Sequence, residues 1–479
     1  MPDKVLIIGA GAAGCAAAWS LSRYPDSFEV HVWEAADEPG GVATTRHWDG
    51  YWFNDGVQGG APTYRNTIVW HRQLGFEPRP VHMTINFGKG PTWWNNYGAE
   101  LETELVRRLR PEIRRFGQLM QHVHRYPVLY ALVPIRTLLW LRGFSSEFAN
   151  LMALPLTALF FGTGNQTPRV PSLVVAQVFT DDTLRLFEYD PDRLLSSQPQ
   201  MFSFDNLHAI YSRALQSPHL HAVHLGRAAQ RVQPLPNRVL VTDTAGVRES
   251  FDQVILACDA DTALQLLGRQ ATWMQRQALG NVRYYRDVTV THTDLEYMRK
   301  YYEIDMEERA DMYFVRTDPQ DPARIDMSFA LSSYQPQLRD ASGKRLPLFQ
   351  TIFLDERERH RWTIEEIRSD HTVLTRWWKQ MSHEWKHFAF AVPFMRYAQG
   401  GRYDNVWFAG SWTLMNLHEV AVVSGLAAAE MCARYAARDA EVVAAGMYPF
   451  AEDADAKRFY DMVTRVVYGR RARQGNKRA

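Results

Sequence analysis

A short apolar run, Val5-Leu6-Ile7-Ile8, leads into Gly9-Ala10-Gly11-Ala12-Ala13-Gly14 and then into Cys15-Ala16-Ala17-Ala18-Trp19-Ser20-Leu21. No other stretch restricts the fold as tightly. A continuous apolar run suits a strand buried on both faces of a parallel sheet, and the alanine-rich run suits a helix. Between them Gly9 permits a tight turn, while Gly11, with Ala12 and Ala13, lets backbone approach a pyrophosphate. Gly14 allows close helix–strand packing, and the free N–H groups of the helix N-terminus favour an anion. A second strand, Glu29-Val30-His31-Val32-Trp33, ends at Glu34, twenty residues after Gly14. A carboxylate there can accept hydrogen bonds from ribose hydroxyls and repels a 2′-phosphate. Strand, glycines, helix and carboxylate together predict a dinucleotide site in an α/β fold.

At 479 residues the chain has length for two to three domains of ordinary size. Lys+Arg 54 against Asp+Glu 53 leaves no global field to favour nucleic acid, which is not expected as a partner. Cys15, Cys258 and Cys432 are odd in number and far apart, which argues against a disulfide scaffold and for a reducing, cytoplasmic setting. The most apolar stretch, Val128 to Leu141, contains Pro134 and Arg136 and falls short of the ~20 residues of a membrane span. Met1-Pro2-Asp3-Lys4 runs straight into the first strand, with no signal region ahead of it. After Asp461 come Arg465, Arg470, Arg471, Arg473, Lys477 and Arg478 with no acid. That tail reads either as a solvated end or as a peripheral contact with anionic lipid headgroups. Oligomeric state leaves no mark in the sequence.

After Glu34 the chain reads Ala35-Ala36-Asp37-Glu38-Pro39-Gly40-Gly41-Val42-Ala43-Thr44-Thr45. This resembles the second glycine motif of the flavin amine oxidase and carotenoid desaturase superfamily, and four further segments match that family in order. Asn54-Asp55-Gly56-Val57-Gln58-Gly59-Gly60 is similar to the segment that brings glycine backbone against the cofactor. Ala229-Gln230-Arg231-Val232 resembles the strand that holds adenine, with Val232 at the contact. Phe251 to Ala260 resembles the strand ending in a small residue beneath the cofactor, here Ala257. Asn405-Val406-Trp407-Phe408-Ala409-Gly410-Ser411, followed by Glu419, Val420 and the Ser424-Gly425 helix, resembles the turn and helix that face the flavin pyrimidine.

The resemblance implies FAD, held by these residues together with Gly9, Gly11, Ala12, Ala13, Gly14, Glu34, Ala35, Gly40, Gly41, Asp55, Gly56, Val57 and Gln58. Val42 stands where most members carry Arg or His, so one side-chain contact is missing. Cys15 sits in the nucleotide helix and cannot reach a flavin ring, so the FAD is expected to be noncovalent. The implied architecture is α/β (α+β overall), with a discontinuous Rossmann-like FAD-binding domain at 1–70, 190–275 and 390–440. A mixed sheet-plus-helix substrate domain is inserted at 71–189 and 276–389, and 441–479 form a C-terminal helix and the basic tail. Within the insertions, Leu101 to Phe116 and Ser145-Ser146-Glu147 through Phe161 read as helices. Asp311 to Val315 and Leu348 to Phe353 read as strands, with a turn at Asp340-Ala341-Ser342-Gly343.

Phe144-Ser145-Ser146-Glu147-Phe148 through Leu154-Pro155-Leu156-Thr157-Ala158 resembles FAD proteins associated with cyclopropane and branched fatty-acid metabolism. Asn416-Leu417-His418-Glu419-Val420 resembles a segment of polyenoic fatty acid isomerases. Both imply a small hydrophobic, long-chain substrate. Phe87, Trp93, Trp94, Leu151, Met152, Leu154, Leu159, Phe160 and Phe161 could line such a tunnel or simply form core. His418 and Glu419 are the catalytic candidates, with helix capping as the alternative for Glu419. Arg396 and Tyr397 are candidates to hold a carboxylate or headgroup. Trp407 and Trp412 flank Gly410, and Trp412 is placed with the substrate. No metal-ligand spacing is evident. Desaturation of a lipid is the leading expectation, with double-bond isomerisation or amine oxidation as alternatives. A noncatalytic prenyl- or protein-binding relative is disfavoured by the intact glycines and Glu34.

Overall fold

The computed structural model describes residues 1–97, 102–181, 185–306, 311–435 and 446–469. Its first layer is a five-stranded, all-parallel sheet in the order Ala222–His224, Phe28–Trp33, Asp3–Ile8, Gln253–Leu256, Val406–Phe408. Val5, Leu6 and Ile7 are fully buried, as an apolar strand covered on both faces must be. The helix Ala12–Ser22 follows at once, and His418–Arg434 lies against it. Both helices can come this close because two side chains are missing. A Cβ on Gly14 would stand 1.8 Å from the Gly9 carbonyl oxygen, and one on Gly425 would stand 2.1 Å from that of Ala13.

A second sheet has seven strands in the order Thr372–Met381, Tyr284–His292, Phe349–Phe353, Ile325–Ala330, Tyr313–Thr317, Ile85–Phe87, Trp94–Asn95. Its pairings are antiparallel except for Tyr313–Thr317 with Ile85–Phe87. An apolar helical cluster packs with this sheet. Its longest member, Glu104–Arg125, is capped by Thr103, whose hydroxyl accepts from the Val106 N–H, and buries Leu105, Leu109, Ile113, Phe116 and Met120. Ser145 caps the next helical segment by accepting from the Phe148 N–H at 3.0 Å. The segment through Phe161 contains a wide turn at Ala149–Ala153 before Leu154–Phe161, which stops at Gly162 in the left-handed conformation.

The α/β class with a Rossmann-like sheet and a mixed second sheet agrees with the sequence reading. The helix expected from Leu101 begins at Glu104, and Leu101 lies outside the described residues. The helix expected around Ser424 begins earlier, at His418, so His418 and Glu419 are its first two residues and do not precede it. Of the basic tail only Arg465 is described, in the turn after the helix Ala454–Val463; the rest lies outside the described residues. Among the described residues no helix is long and apolar enough to cross a membrane.

The Gly425 contact yields a direct test. Gly425→Ala should cost about 1–3 kcal/mol, since a methyl forced against backbone overpacks a rigid contact. Gly280→Ala, where the nearest atom is 3.9 Å away, should be close to neutral. Urea unfolding of both variants checks the contrast.

Candidate functional site

A cleft of about 660 Å3 is walled on one side by the Rossmann turn and on the other by the seven-stranded sheet. On the first wall are Gly9, Gly11, Ala12 and Ala13, then Glu34 and Ala35, then Gly40, Gly41 and Val42. Gly11 opens on space, and a Cβ built there would meet nothing nearer than the Gly40 carbonyl oxygen at 4.0 Å. That gap is a cradle that any side chain would fill, beside the free N–H groups of Ala12–Ser22. Glu34 fixes the bend of the chain around it, accepting from the Ala10 N–H at 2.6 Å and the Ala36 N–H at 2.9 Å. Gly56, Val57, Gln58, Ala257, Gly410 and Ser411 continue the lining.

Several expected contacts are not in the lining. Gly14 acts beneath the turn, against Gly9. Asp55 is fully buried and accepts from Gln350 Nε2 at 2.7 Å and Arg376 Nη1 at 3.2 Å, joining its hairpin to the second sheet. Burial pushes its carboxyl up while Arg376 opposes the shift. Val232 is fully buried inside its strand; Ala228 and Ala229, at the strand's start, reach the cleft instead. Val420 is buried, and the helix presents His418 and Ala421 to the cleft.

Glu419 is corrected most fully. Its carboxylate accepts from the Asn66 N–H at 2.8 Å, Asn66 Nδ2 at 2.7 Å and the Thr67 N–H at 2.8 Å, and it does not line the cleft. It caps the helix Arg65–Gln73, whose first turn otherwise holds unsatisfied donors. Burial pushes its pKa up and those hydrogen bonds oppose the shift. His418 does line the cleft, with its Nε2 2.6 Å from the Tyr211 hydroxyl. Burial lowers its pKa to about 4, so it is neutral at pH 7.

Of the substrate candidates, Trp412 lines the cleft and donates its indole N–H to the Cys258 carbonyl at 3.0 Å. Trp407 is fully buried in the core and donates to Gln253 Oε1 at 2.7 Å, so the two indoles do not flank one opening. Arg396 and Tyr397 are exposed, bond to each other and lie outside the cleft. Among the apolar candidates Phe160 and Phe161 reach the cleft, whereas Phe87, Trp94, Met152 and Leu154 are core.

Sequence reasoning missed the most informative polar group. Asp287, on Tyr284–His292, lines the cleft yet is only 1 % exposed. Its Oδ1 accepts from the Asp355 N–H at 2.8 Å, and its Oδ2 has no partner among the described residues. Burial raises its pKa to about 7. Gln58 Oε1, also in the lining, is likewise unpartnered among the described residues. Buried polar atoms without partners are uncommon and here both border one cleft. A lone carboxyl in the run Tyr284-Tyr285-Arg286-Asp287-Val288-Thr289 was the available signal.

Away from the cleft, Glu29, His31 and His221 bring ligand-type atoms within 4.8 Å of one another. The Lys4 ammonium, 3.7 Å from Glu29 Oε1, already supplies positive charge there, so this is an ion-pair cluster. Cys258 lines the cleft, but burial pushes its thiol up to about 12, which keeps it protonated and weakly nucleophilic.

Residues 7–72 match the family model of an NAD(P)-binding Rossmann-like domain. No curated protein matches the chain in sequence. In three dimensions it is similar to a fatty acid isomerase from P. acnes that produces CLA, with TM-score 0.63 and 16% identity over 90% of this chain and 98% of that one. It is also similar to cyclohexylamine oxidase from Brevibacterium oxydans, with TM-score 0.61 and 14% identity over 90% and 99% of the chains. Putrescine oxidase with putrescine bound gives TM-score 0.59 and 15% identity over 91% and 100%. The chain therefore shares the fold of these solved structures, with a Rossmann-like domain at its N-terminal end.

His418 provides a test of this geometry. Its folded pKa of about 4 lies below the ordinary imidazole value of 6.5, so as pH falls through that window the unfolded chain gains a proton that the folded chain refuses. Stability is then lost towards low pH, by up to about 3 kcal/mol for a shift of this size. His418→Gln should show a shallower fall in unfolding free energy between pH 6.5 and 4 than the parent, measured by urea titration.

Proposed function

We propose that the chain is an FAD-dependent oxidoreductase acting on a C–C bond of a hydrophobic, long-chain lipid or fatty-acyl substrate. One observation carries this reading: a dinucleotide cradle and an apolar wall bearing a carboxyl with one oxygen unpartnered among the described residues share one cleft. The cradle fits FAD through the open Gly11 face, Glu34 at the ribose position and glycine backbone at Gly40, Gly41 and Gly56. Bound FAD supplies a hydride acceptor for a substrate C–H bond.

The protein's own residues provide the surroundings. Phe160, Phe161, Phe329, Ile352 and Leu354 form an apolar wall that excludes water and takes up methylenes at ~0.8 kcal/mol each. Asp287 offers its free Oδ2 to a substrate proton, and a pKa of about 7 suits a group that must both take and return one near neutrality. The first turn of His418–Arg434 presents N–H groups, and its dipole stabilises negative charge at the cleft. His418, neutral and held by Tyr211, positions that turn.

Double-bond isomerisation is the second reading. It is favoured by the same reversible carboxyl and by likeness to a fatty acid isomerase. Anaerobic mixing with a long-chain polyunsaturated fatty acid separates the two. Lasting flavin bleaching supports desaturation, and a moved double bond without net bleaching supports isomerisation. Bleaching by a primary amine alone contradicts the lipid substrate. In either lipid reaction Asp287→Asn should slow turnover by ~10²–10⁴-fold with FAD content unchanged, the usual worth of one general acid–base group. An unchanged rate removes Asp287 from the reaction.

A further inference from the structure

The helical layer carries an apolar surface that none of the described residues covers. Between Tyr126 and Leu141 the short helices Pro127–Tyr130 and Ile135–Leu141 follow one another, both packed on the helix Ser172–Thr180. Tyr130, Ile135, Leu138 and Leu139 point inward and are buried. Val128, Leu129, Trp140 and Leu141 are 89%, 68%, 75% and 62% exposed, and Tyr126 and Leu132 are 44% exposed each. Of the fifteen large apolar side chains exposed among the described residues, six fall in these sixteen positions. A helix apolar all round is ordinarily buried in a core or set in lipid, and a patch of this kind on a soluble surface marks an interaction site.

The charge around the patch says what covers it. From Ile113 to Ser146 the sequence contains five arginines and no Asp or Glu. Arg115, Arg125, Arg136 and Arg142 form no ion pair with a carboxylate among the described residues. Arg115 donates to the Arg142 carbonyl, Arg136 to Asn150 and Arg142 to the Tyr130 hydroxyl, while Arg125 lies over the Tyr126 ring. An apolar ridge with an aromatic tip and unpaired guanidinium groups at its flanks matches the depth profile of an anionic bilayer surface. A second copy of the chain is the poorer occupant. A twofold contact through this face would set the same arginines against each other, and the flanking acids Glu112 and Glu147 are already engaged, by Ser145 and by Arg108.

We infer that the 126–141 segment docks the protein on the surface of an anionic bilayer, seating Leu129 and Trp140 among the acyl chains and Arg136 and Arg142 at the phosphates. This does not depend on what the cleft turns over. The same apolar cluster that backs this segment includes Leu159, Phe161 and Leu354, so the docked face and the cleft share one continuous core.

Flotation of the full chain with vesicles tests the inference, using phosphatidylcholine alone or mixed in equal parts with phosphatidylglycerol. The parent should bind the anionic vesicles at low salt and bind phosphatidylcholine about 10-fold more weakly. The double variant Leu129→Ser/Trp140→Ser, altered only at exposed positions, should keep its melting temperature and bind about 100-fold more weakly, roughly 10-fold for each apolar side chain lost. Arg136→Gln/Arg142→Gln should lose about 10-fold on anionic vesicles and match the parent on phosphatidylcholine. The basic tail is present in every variant, so equal binding by parent and Leu129→Ser/Trp140→Ser assigns any attachment to the tail and overturns the inference. Absence of parent binding overturns it too. So does a concentration-dependent dimer that Leu129→Ser/Trp140→Ser dissociates while vesicle binding stays unchanged.

Discussion

Backbone brought against backbone at two glycines is the constraint on which the rest of this structure depends. Gly14 sets the helix Ala12–Ser22 against the Gly9 turn, and Gly425 sets His418–Arg434 against Ala13. With both contacts made, one helix start faces the Gly11 cradle and the other presents His418 and Ala421 to the same cleft. The two positive dipole ends converge there without any charged side chain being buried for the purpose. A methyl group at either position would open the joint and separate the two halves of the site.

Burial then sorts the polar residues by task. Glu419 and Asp55 lie deep in the protein with several donors each, and they work as fasteners: one caps a helix, the other joins a hairpin to the second sheet. Asp287 is as deeply placed but keeps one oxygen without a donor among the described residues. Leaving such an atom unpaired costs free energy, and the fold carries that cost at the cleft wall. His418 sits between these cases, lining the cleft but held neutral against Tyr211.

The legible parts of the sequence were those where chemistry is local in the chain. The Val5–Ile8 strand, the glycine turn, Glu34 and the Gly40-Gly41 pair are read from short spacing, and all of them border the cleft except the strand interior, Ala10 and Gly14. Neighbouring residues could be misplaced where only a strand's register or a helix's start decides what faces the opening. That is why Val232 gave way to Ala229, and Glu419 to its neighbour His418. Asp287 was invisible for a different reason. Its surroundings come from residues such as Asp355 and from the Trp378 strand opposite, which pairing of distant strands brings together. The exposed 126–141 segment is plainly apolar in sequence and too short for a membrane span, but length says nothing of which side chains face outward.

The account rests on the cleft being a cofactor cradle whose open face is Gly11. Calorimetric titration of FAD into the flavin-stripped protein and into Gly11→Val tests that most directly. The account predicts one noncovalent FAD per chain for the parent, and binding weakened by ~10²-fold or more in Gly11→Val, with both proteins equally folded by circular dichroism. That loss corresponds to about 2.7 kcal/mol for a side chain occupying the space of the pyrophosphate. Equal FAD affinity in the two proteins, or a folded parent that takes up no FAD, would contradict it.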